Sequence, residues 1–368
     1  VSKIISIGTS VPRFAHKQED LMHFASKVYT QDETEKRKLA FLYRQSGIRY
    51  RYSVIPDFTV AGDEAKNRFF KGPNHEVPGI SQRMEWYQKE ACPLALKAIK
   101  NCLKQQLPLN EITHLITVSC TGMSAPGLDL QIMEALQLPE TLVRTSVNFM
   151  GCYAAIHALK MADAICARNP EARVLLVCVE LCTIHFQHEP LLDNITSSLL
   201  FGDGAAAVLV TAKSSLPQQP GINLNGFYSK VLFAGKDEMT WTISPTGFLM
   251  TLTGEVPDLI KKDIPKLVEA ALQPHGFSLN AISHWCFHPG GRKILDDIAG
   301  SLDLEKNSLQ HSYQVLEDFG NMSSPTILFV LQRIFESCKS SQQENAPHIF
   351  GAAFGPGLTI ETFTASYG

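Results

Sequence analysis

Two stretches of this chain repeat one another about half a chain apart. Asn110-Glu111-Ile112-Thr113-His114 is echoed by Asn280-Ala281-Ile282-Ser283-His284, an offset of 170 residues in a chain of 368, and each opens an apolar run that stops at a glycine. Phe149-Met150-Gly151-Cys152 precedes a helical stretch and is echoed by Asp318-Phe319-Gly320-Asn321 before PTILFVLQRIF, at an offset of 169. A further apolar strand follows in each half, from Arg173 and from His348. An offset held across these landmarks predicts two copies of one unit. It places Cys152 and Asn321 at equivalent helix N-termini, facing a shared pseudo-twofold centre.

The repeated unit reads as α/β. ITHLITVSC (112–120) and RVLLVCVEL (173–181) are continuous apolar runs, as expected of strands buried on both faces, and AAIHALKMADAICARN between them has helical character. FGDGAAAVLVT (201–211) adds a strand punctuated by glycine, and IISIG (4–8) a short one near the start. Between them lies a charge-rich, helix-prone section from about Lys17 to Lys104, broken near Ile55 to Asn74 by Pro, Gly and Asp. SSLPQQPG (214–221) reads as a linker. The expected division is therefore 1–213, carrying Cys152 and a helical insertion at about 15–104, and 214–368, carrying a candidate His and Asn.

With 33 Lys+Arg against 36 Asp+Glu, the net charge of −3 supplies no global field for nucleic acid or an anionic membrane, so any anion binding is local. No apolar run reaches the roughly 18 residues of a spanning helix, and VSKIISIGTSVP lacks the charged and apolar regions of a signal peptide. No integral membrane association is expected. Nine Cys form an odd set, most of them inside apolar runs. Free thiols in a reducing, cytoplasmic setting fit that pattern.

Cys152 follows a glycine and begins a run without a helix breaker, so its thiol is expected beside unpaired N–H groups at the positive end of a helix, where thiol pKa values fall. An inert buried thiol is the alternative, and the preferred reading of the other eight Cys. His288 ends HWCFHPGG, where Pro289-Gly290-Gly291 forces a turn and leaves the imidazole at a strand C-terminus, the usual mouth of an α/β site. It could activate a thiol or donate to an oxyanion; a satisfied loop histidine is the alternative. Asn321 could donate its amide to the same oxyanion, or cap a helix.

Cys178, Cys182, His185 and His188 resemble a metal set in spacing, yet on a strand 178 and 182 share a face while 185 points away, so no metal is expected. Lys36, Arg37, Lys38, Arg44, Arg49 and Arg51 crowd into 16 residues. They fit a phosphate-bearing ligand such as coenzyme A or, more commonly, a solvated helix face. GxxxxGK[ST], GxSxG and strand-linked GxGxxG are absent, which removes the main supports for nucleotide hydrolysis, serine esterase chemistry and dinucleotide binding.

FMGCYAA around Cys152, FGDGAAA at 201–207, HPGG at 288–291, GNMSSP at 320–325 and FGPGLTIET at 354–362 occur together in one order. This set resembles the chalcone synthase-like family, the type III polyketide synthases of the thiolase fold, over about Lys3 to Thr362. CTGMSAPGLD (120–129) is closer to its bacterial members. The resemblance implies a thiolase-like α/β fold whose duplicated βαβαβ core gives five α-β-α-β-α layers, a homodimer, and no cofactor beyond coenzyme A thioester substrates. It implies that Cys152 takes the starter from acyl-CoA, and that His288 and Asn321 hold the thioester oxygen of malonyl-CoA as decarboxylation builds an enolate. Repeated condensation and cyclisation would give a pyrone, resorcinol or similar aromatic product.

By the same resemblance Phe201 is the gatekeeper aromatic, Met250 replaces a second gatekeeper Phe, and His185 replaces a small hydroxyl lining the cavity. Gly355, Pro356 and Gly357 form the terminal loop of the site. Lys38 matches one basic residue at the coenzyme A mouth and Arg44 lies near it, while Phe41 and Gln45 stand where plant enzymes carry Arg and Lys. Ala125 stands where plant members send a Met into the partner's cavity. Together with Met250 it suggests room for a fatty acyl chain. An acyl carrier protein as donor, a single-condensation initiation enzyme and a non-catalytic partner subunit are the alternatives. A Cys protease shares the residue types but neither the duplication nor FGPG.

Overall fold

The computed structural model describes residues 2–58, 69–70, 77–104, 107–212, 219–305, 307–340 and 346–368. The first half begins with β1 (Ser2–Ser10), β2 (Phe14–Lys17), α1 (Gln18–Tyr29), α2 (Glu33–Gln45), β3 (Tyr50–Ser53) and α3 (Ile80–Leu103). It continues with β4 (His114–Ser119), α4 (Leu128–Leu136), β5 (Val143–Asn148), α5 (Ala154–Arg168), β6 (Arg173–Leu181), α6 (Leu192–Leu200) and β7 (Asp203–Ala212). The second half contains β8 (Ile222–Val231), β9 (Met239–Ser244), β10 (Gly247–Leu252), α7 (Val256–Leu272), β11 (Ile282–Phe287), α8 (Arg292–Ser301), α9 (Gln310–Phe319), α10 (Thr326–Ser340), β12 (His348–Gly355) and β13 (Thr359–Tyr367).

The apolar runs explain the strand order. All ten residues of β7 are buried, as are eight of the nine in β6, so these strands must lie inside a sheet covered on both faces. Nine of the described strands form one sheet in the order β11-β12-β13-β8-β1-β7-β6-β4-β5, in which β1-β7-β6-β4 on one side of the centre is matched by β8-β13-β12-β11 on the other and β5 is an added edge strand. β4 pairs in parallel with β5 and β6, and β11 in parallel with β12. β7 and β13 run antiparallel to their neighbours. The halves join where Lys3 meets Asn223 and Ile4 meets Ile222.

Alanines on α5 (Ala154, Ala155, Ala158, Ala162) and the apolar face of α10 pack with Ile4, Val208, Ile349 and Ala353 into one core between the two sheet halves. The small side chains let α5 enter this middle layer. α3 covers one half from outside, and α7 packs on β8 and β13 of the other. This is the five-layered thiolase-like arrangement, with its two β layers continuous at the β1–β8 edge. The repeat has structural counterparts: Leu109–Glu111 and Leu279–Ala281 are matching single turns before β4 and β11, and Gly151 and Gly320 both adopt positive φ, 82° and 69°.

Three expectations are corrected. The section from 15 to 104 is not uniformly helical, because β2 and β3 form an antiparallel hairpin in register from Phe14–Ser53 to Lys17–Tyr50. Arg49 and Arg51 therefore leave the basic helix, and Arg51 is buried. Asn321 is not at a helix N-terminus but five residues before Thr326, where α10 begins. The expected linker lies largely outside the described residues, as does most of the break near Ile55 to Asn74.

Candidate active site

The nucleophile candidate sits where β5 turns into α5. Phe149 and Gly151 have φ of 61° and 82°, and the Gly151 N–H donates to Cys120 Sγ at 2.9 Å. A Cβ at Gly151 would lie 2.2 Å from Pro356 Cδ, so the terminal loop closes directly over this turn. Gly151→Ala is expected to lower stability by about 1–3 kcal/mol and slow acylation of Cys152, checked by denaturant unfolding and alkylation rate. Wild-type values for both would contradict the close packing.

Cys152 is 7% exposed, with its thiol 3.6 Å from Ser323 Oγ and 4.0 Å from Asn321 Oδ1. Burial pushes its pKa up to about 12, against the opposing hydrogen bond with Ser323. The expected lowering is thus reversed. The reason is local: Ala154 N–H already bonds Gly151 O, and the Ile156 and His157 N–H groups bond Tyr153 O, so the helix offers the sulfur few open donors.

His288 follows β11 directly, its N–H bonded to Ala352 O at 2.9 Å. It is 1% exposed, neither ring nitrogen has a hydrogen-bond partner among the described residues, and burial pulls its pKa down to about 3. A neutral imidazole with both nitrogens unused faces the same cavity as Cys152. Asn321 contacts Cys152 and Ser323 without lining that cavity. Its Oδ1 accepts the Ser323 N–H at 2.8 Å and its Nδ2 donates to Gly290 O at 3.4 Å, which leaves one amide hydrogen over. The helix-cap alternative does not hold, since Asn321 Oδ1 accepts the N–H of Ser323, three residues before the helix begins at Thr326.

Cys152 and His288 open into one cavity with a mainly apolar lining. Phe201, Met250, His185 and Pro356 line it, as do Leu21, Phe24, Ala25, Phe58 and Phe186. Gly355 and Gly357 do not, although a Cβ at Gly355 would lie 3.2 Å from Cys152 N. Ala125 is exposed before α4 and has no part in this chain's cavity. Lys38 and Arg44 are exposed on α2, whose inward residue Tyr43 reaches the cavity wall.

His185 is not on a strand: β6 ends at Leu181, and Cys182–His185 form a short turn. Phe248 N–H donates to its Nδ1 at 3.0 Å, so Nε2 carries the hydrogen and donates to Thr121 O at 2.7 Å. The ring stacks on Phe248 at 4.2 Å, with Trp241 edge-on at 5.6 Å. Both nitrogens are committed to holding a wall of the cavity. Among the described residues no three Cys, His, Asp or Glu side chains gather as a metal site.

Sequence reasoning missed Glu180. Fully buried, it accepts from Cys120 N and Thr121 Oγ1 at 2.8 Å and from Ser324 Oγ at 2.5 Å, while burial raises its pKa to about 7. One acid inside an otherwise apolar strand run was the available signal. Ser323, which touches the thiol, carried none beyond its motif.

Residues 1–214 match the N-terminal domain of chalcone and stilbene synthases, and residues 227–366 match the C-terminal domain. The chain belongs to this family. It is a type III polyketide synthase, an acyltransferase. The alpha-pyrone synthesis polyketide synthase-like Pks18 of Mycobacterium tuberculosis is 30% identical over 98% of this chain and 90% of its own. Type III polyketide synthase A of Arabidopsis thaliana is 28% identical over 97% and 91%. The crystal structure of PKS-I from the brown alga Ectocarpus siliculosus superposes with a TM-score of 0.92 at 28% identity, covering 99% of this synthase and 98% of that chain. No helix among the described residues is long and apolar enough to cross a membrane.

Proposed function

We propose that this type III synthase loads a long-chain acyl starter from coenzyme A onto Cys152, extends it with malonyl-CoA and releases a pyrone or resorcinol. The observation that carries the reading is one cavity lined by Cys152 and His288 and also by the apolar side chains Leu21, Phe24, Ala25, Phe58 and Phe186. Cys152 sulfur attacks the thioester carbonyl as its proton passes to His288, and coenzyme A leaves as the thiol on taking that proton. Malonyl-CoA then loses carbon dioxide, and the electron pair left behind is held as an enolate whose oxygen accepts N–H from His288 and Asn321. The enolate carbon attacks the acyl-Cys152 carbonyl, the carbon–sulfur bond breaks, and Cys152 leaves as the thiolate, ready for the next round.

In this reading Phe201, Met250 and His185 shape the chain's path, and the Gly355-Pro356-Gly357 loop backs the nucleophile. Lys38 and Arg44 meet coenzyme A phosphates outside. The protein works as a homodimer, each chain divided into halves at 1–213 and 214–368, with Ala125 turned to the partner, and needs no cofactor beyond its thioester substrates. A cytoplasmic setting is supported by nine free cysteines. The pyrone is supported by the name of the mycobacterial relative.

Purified protein incubated with labelled malonyl-CoA and starters from acetyl- to stearoyl-CoA is expected to give multiply extended products, most efficiently from the longer starters. A preference for acetyl-CoA would overturn the long-chain reading. Singly extended products formed only from carrier-bound malonyl would replace it with an initiation-type condensation.

A further inference from the structure

The chemistry above leaves a buried cationic side chain at its centre unused. Arg51, on β3 of the hairpin, is 4% exposed. Its Nε donates to Gln18 Oε1 at 2.9 Å and one terminal nitrogen donates to the carbonyl oxygen of Phe201 at 2.6 Å. Tyr43 lies beside it, and the Asp203 carboxylate balances its charge. Its stem passes close beside the backbone on both sides of the site. A Cβ at Gly320 would lie 2.8 Å from Arg51 Cγ and 2.8 Å from Leu200 O, and one at Gly202 would lie 3.4 Å from Arg51 Cβ.

Those two glycines flank the segments that matter. Residues 200–202 carry Phe201 and residues 319–321 carry Asn321, and they clasp each other through Asn321 N–H to Leu200 O and Gly202 N–H to Asn321 O, both 2.9 Å. Arg51 holds one by its carbonyl and packs against the other at Gly320. A guanidinium suits this task because its planar fork fixes two acceptors in direction at once.

We propose that Arg51 is a positioning residue that sets Phe201 and Asn321 relative to the acyl-Cys for malonyl decarboxylation and condensation. The inference rests on the role given to Asn321 above. It assigns the insertion a function: through Gln18, Tyr43 and Arg51, the segments α1, α2 and β3 reach the reacting groups.

The test compares two reactions of the intact protein: decarboxylation of malonyl-CoA without starter, and alkylation of Cys152 by iodoacetamide. Arg51→Lys keeps the charge and loses the fork, so kcat for decarboxylation should fall about 10–100-fold while KM and Cys152 alkylation change by less than about threefold. Gln18→Leu, which removes the Nε partner of Arg51 together with the Gln18 bond to Leu199 O at 2.8 Å, should shift kcat in the same direction by less. Unchanged decarboxylation in Arg51→Lys, or equal loss of both reactions in step with a loss of folded protein, would overturn the proposal. Asn321→Ala separates the two claims. If it decarboxylates normally, the role of Asn321 fails; if it is impaired while Arg51→Lys is not, the role of Arg51 alone fails.

Discussion

Replacing Cys152 by Ala is expected to abolish product formation, by at least about a thousandfold, and to remove the acyl adduct seen by mass spectrometry of the intact protein. The site contains its own controls. Cys120 and Cys182 line the same cavity, and burial raises both thiols well above their ordinary pKa, with Glu180 adding to the shift. Neither should be acylated in the variant. Decarboxylation of malonyl-CoA should outlast the loss of condensation, because His288 and Asn321 remain and need no acyl-Cys to hold an enolate. An adduct appearing on Cys182, or full condensation without Cys152, would refute the assignment of the nucleophile.

What the sequence revealed and what it hid follow one physical division. The strands β4, β6 and β7 were legible because burial on both faces demands unbroken apolar residues, and that demand is written in consecutive positions. The duplication was legible because each half solves the same packing problem with the same turns, down to the positive φ at Gly151 and Gly320. Arg51 was not. Six cations in 16 residues look alike in a string, and only the fold separates the exposed Lys38 and Arg44 from an arginine buried by Gln18, Tyr43 and Asp203. These partners come from three other elements, so no local pattern marks them. The hairpin escaped for a related reason: four-residue strands beside a helix-prone stretch carry too few alternations to compete with it.

The pKa of Cys152 shows the same limit, and it yields the second large expectation. A helix N-terminus favours a thiolate, but the value is set by what surrounds the sulfur, and here a dry cavity outweighs the helix. With the thiol near 12 and His288 near 3, both groups rest neutral at pH 7. On these values transfer to His288 is about ten-thousandfold less favourable than loss of the proton to water at pH 7, so His288 carries the reaction only if the attraction between thiolate and imidazolium exceeds that factor. That transfer neither takes up nor releases a proton, so wild-type alkylation should vary little with pH between about 6 and 9. In His288→Ala the proton must go to solvent. A thiol near 12 that loses its proton to water is thiolate in about one molecule in 100,000 at pH 7, a fraction that climbs tenfold per pH unit. If the ion pair carries the wild-type reaction, alkylation in the variant is slower at pH 7, with a log–log slope near one and a gap that closes as pH rises. Acylation by a starter should follow the same curve. A variant profile that levels off below pH 9 would mean the thiolate forms without the imidazole, and the helix terminus would then be restored as its cause.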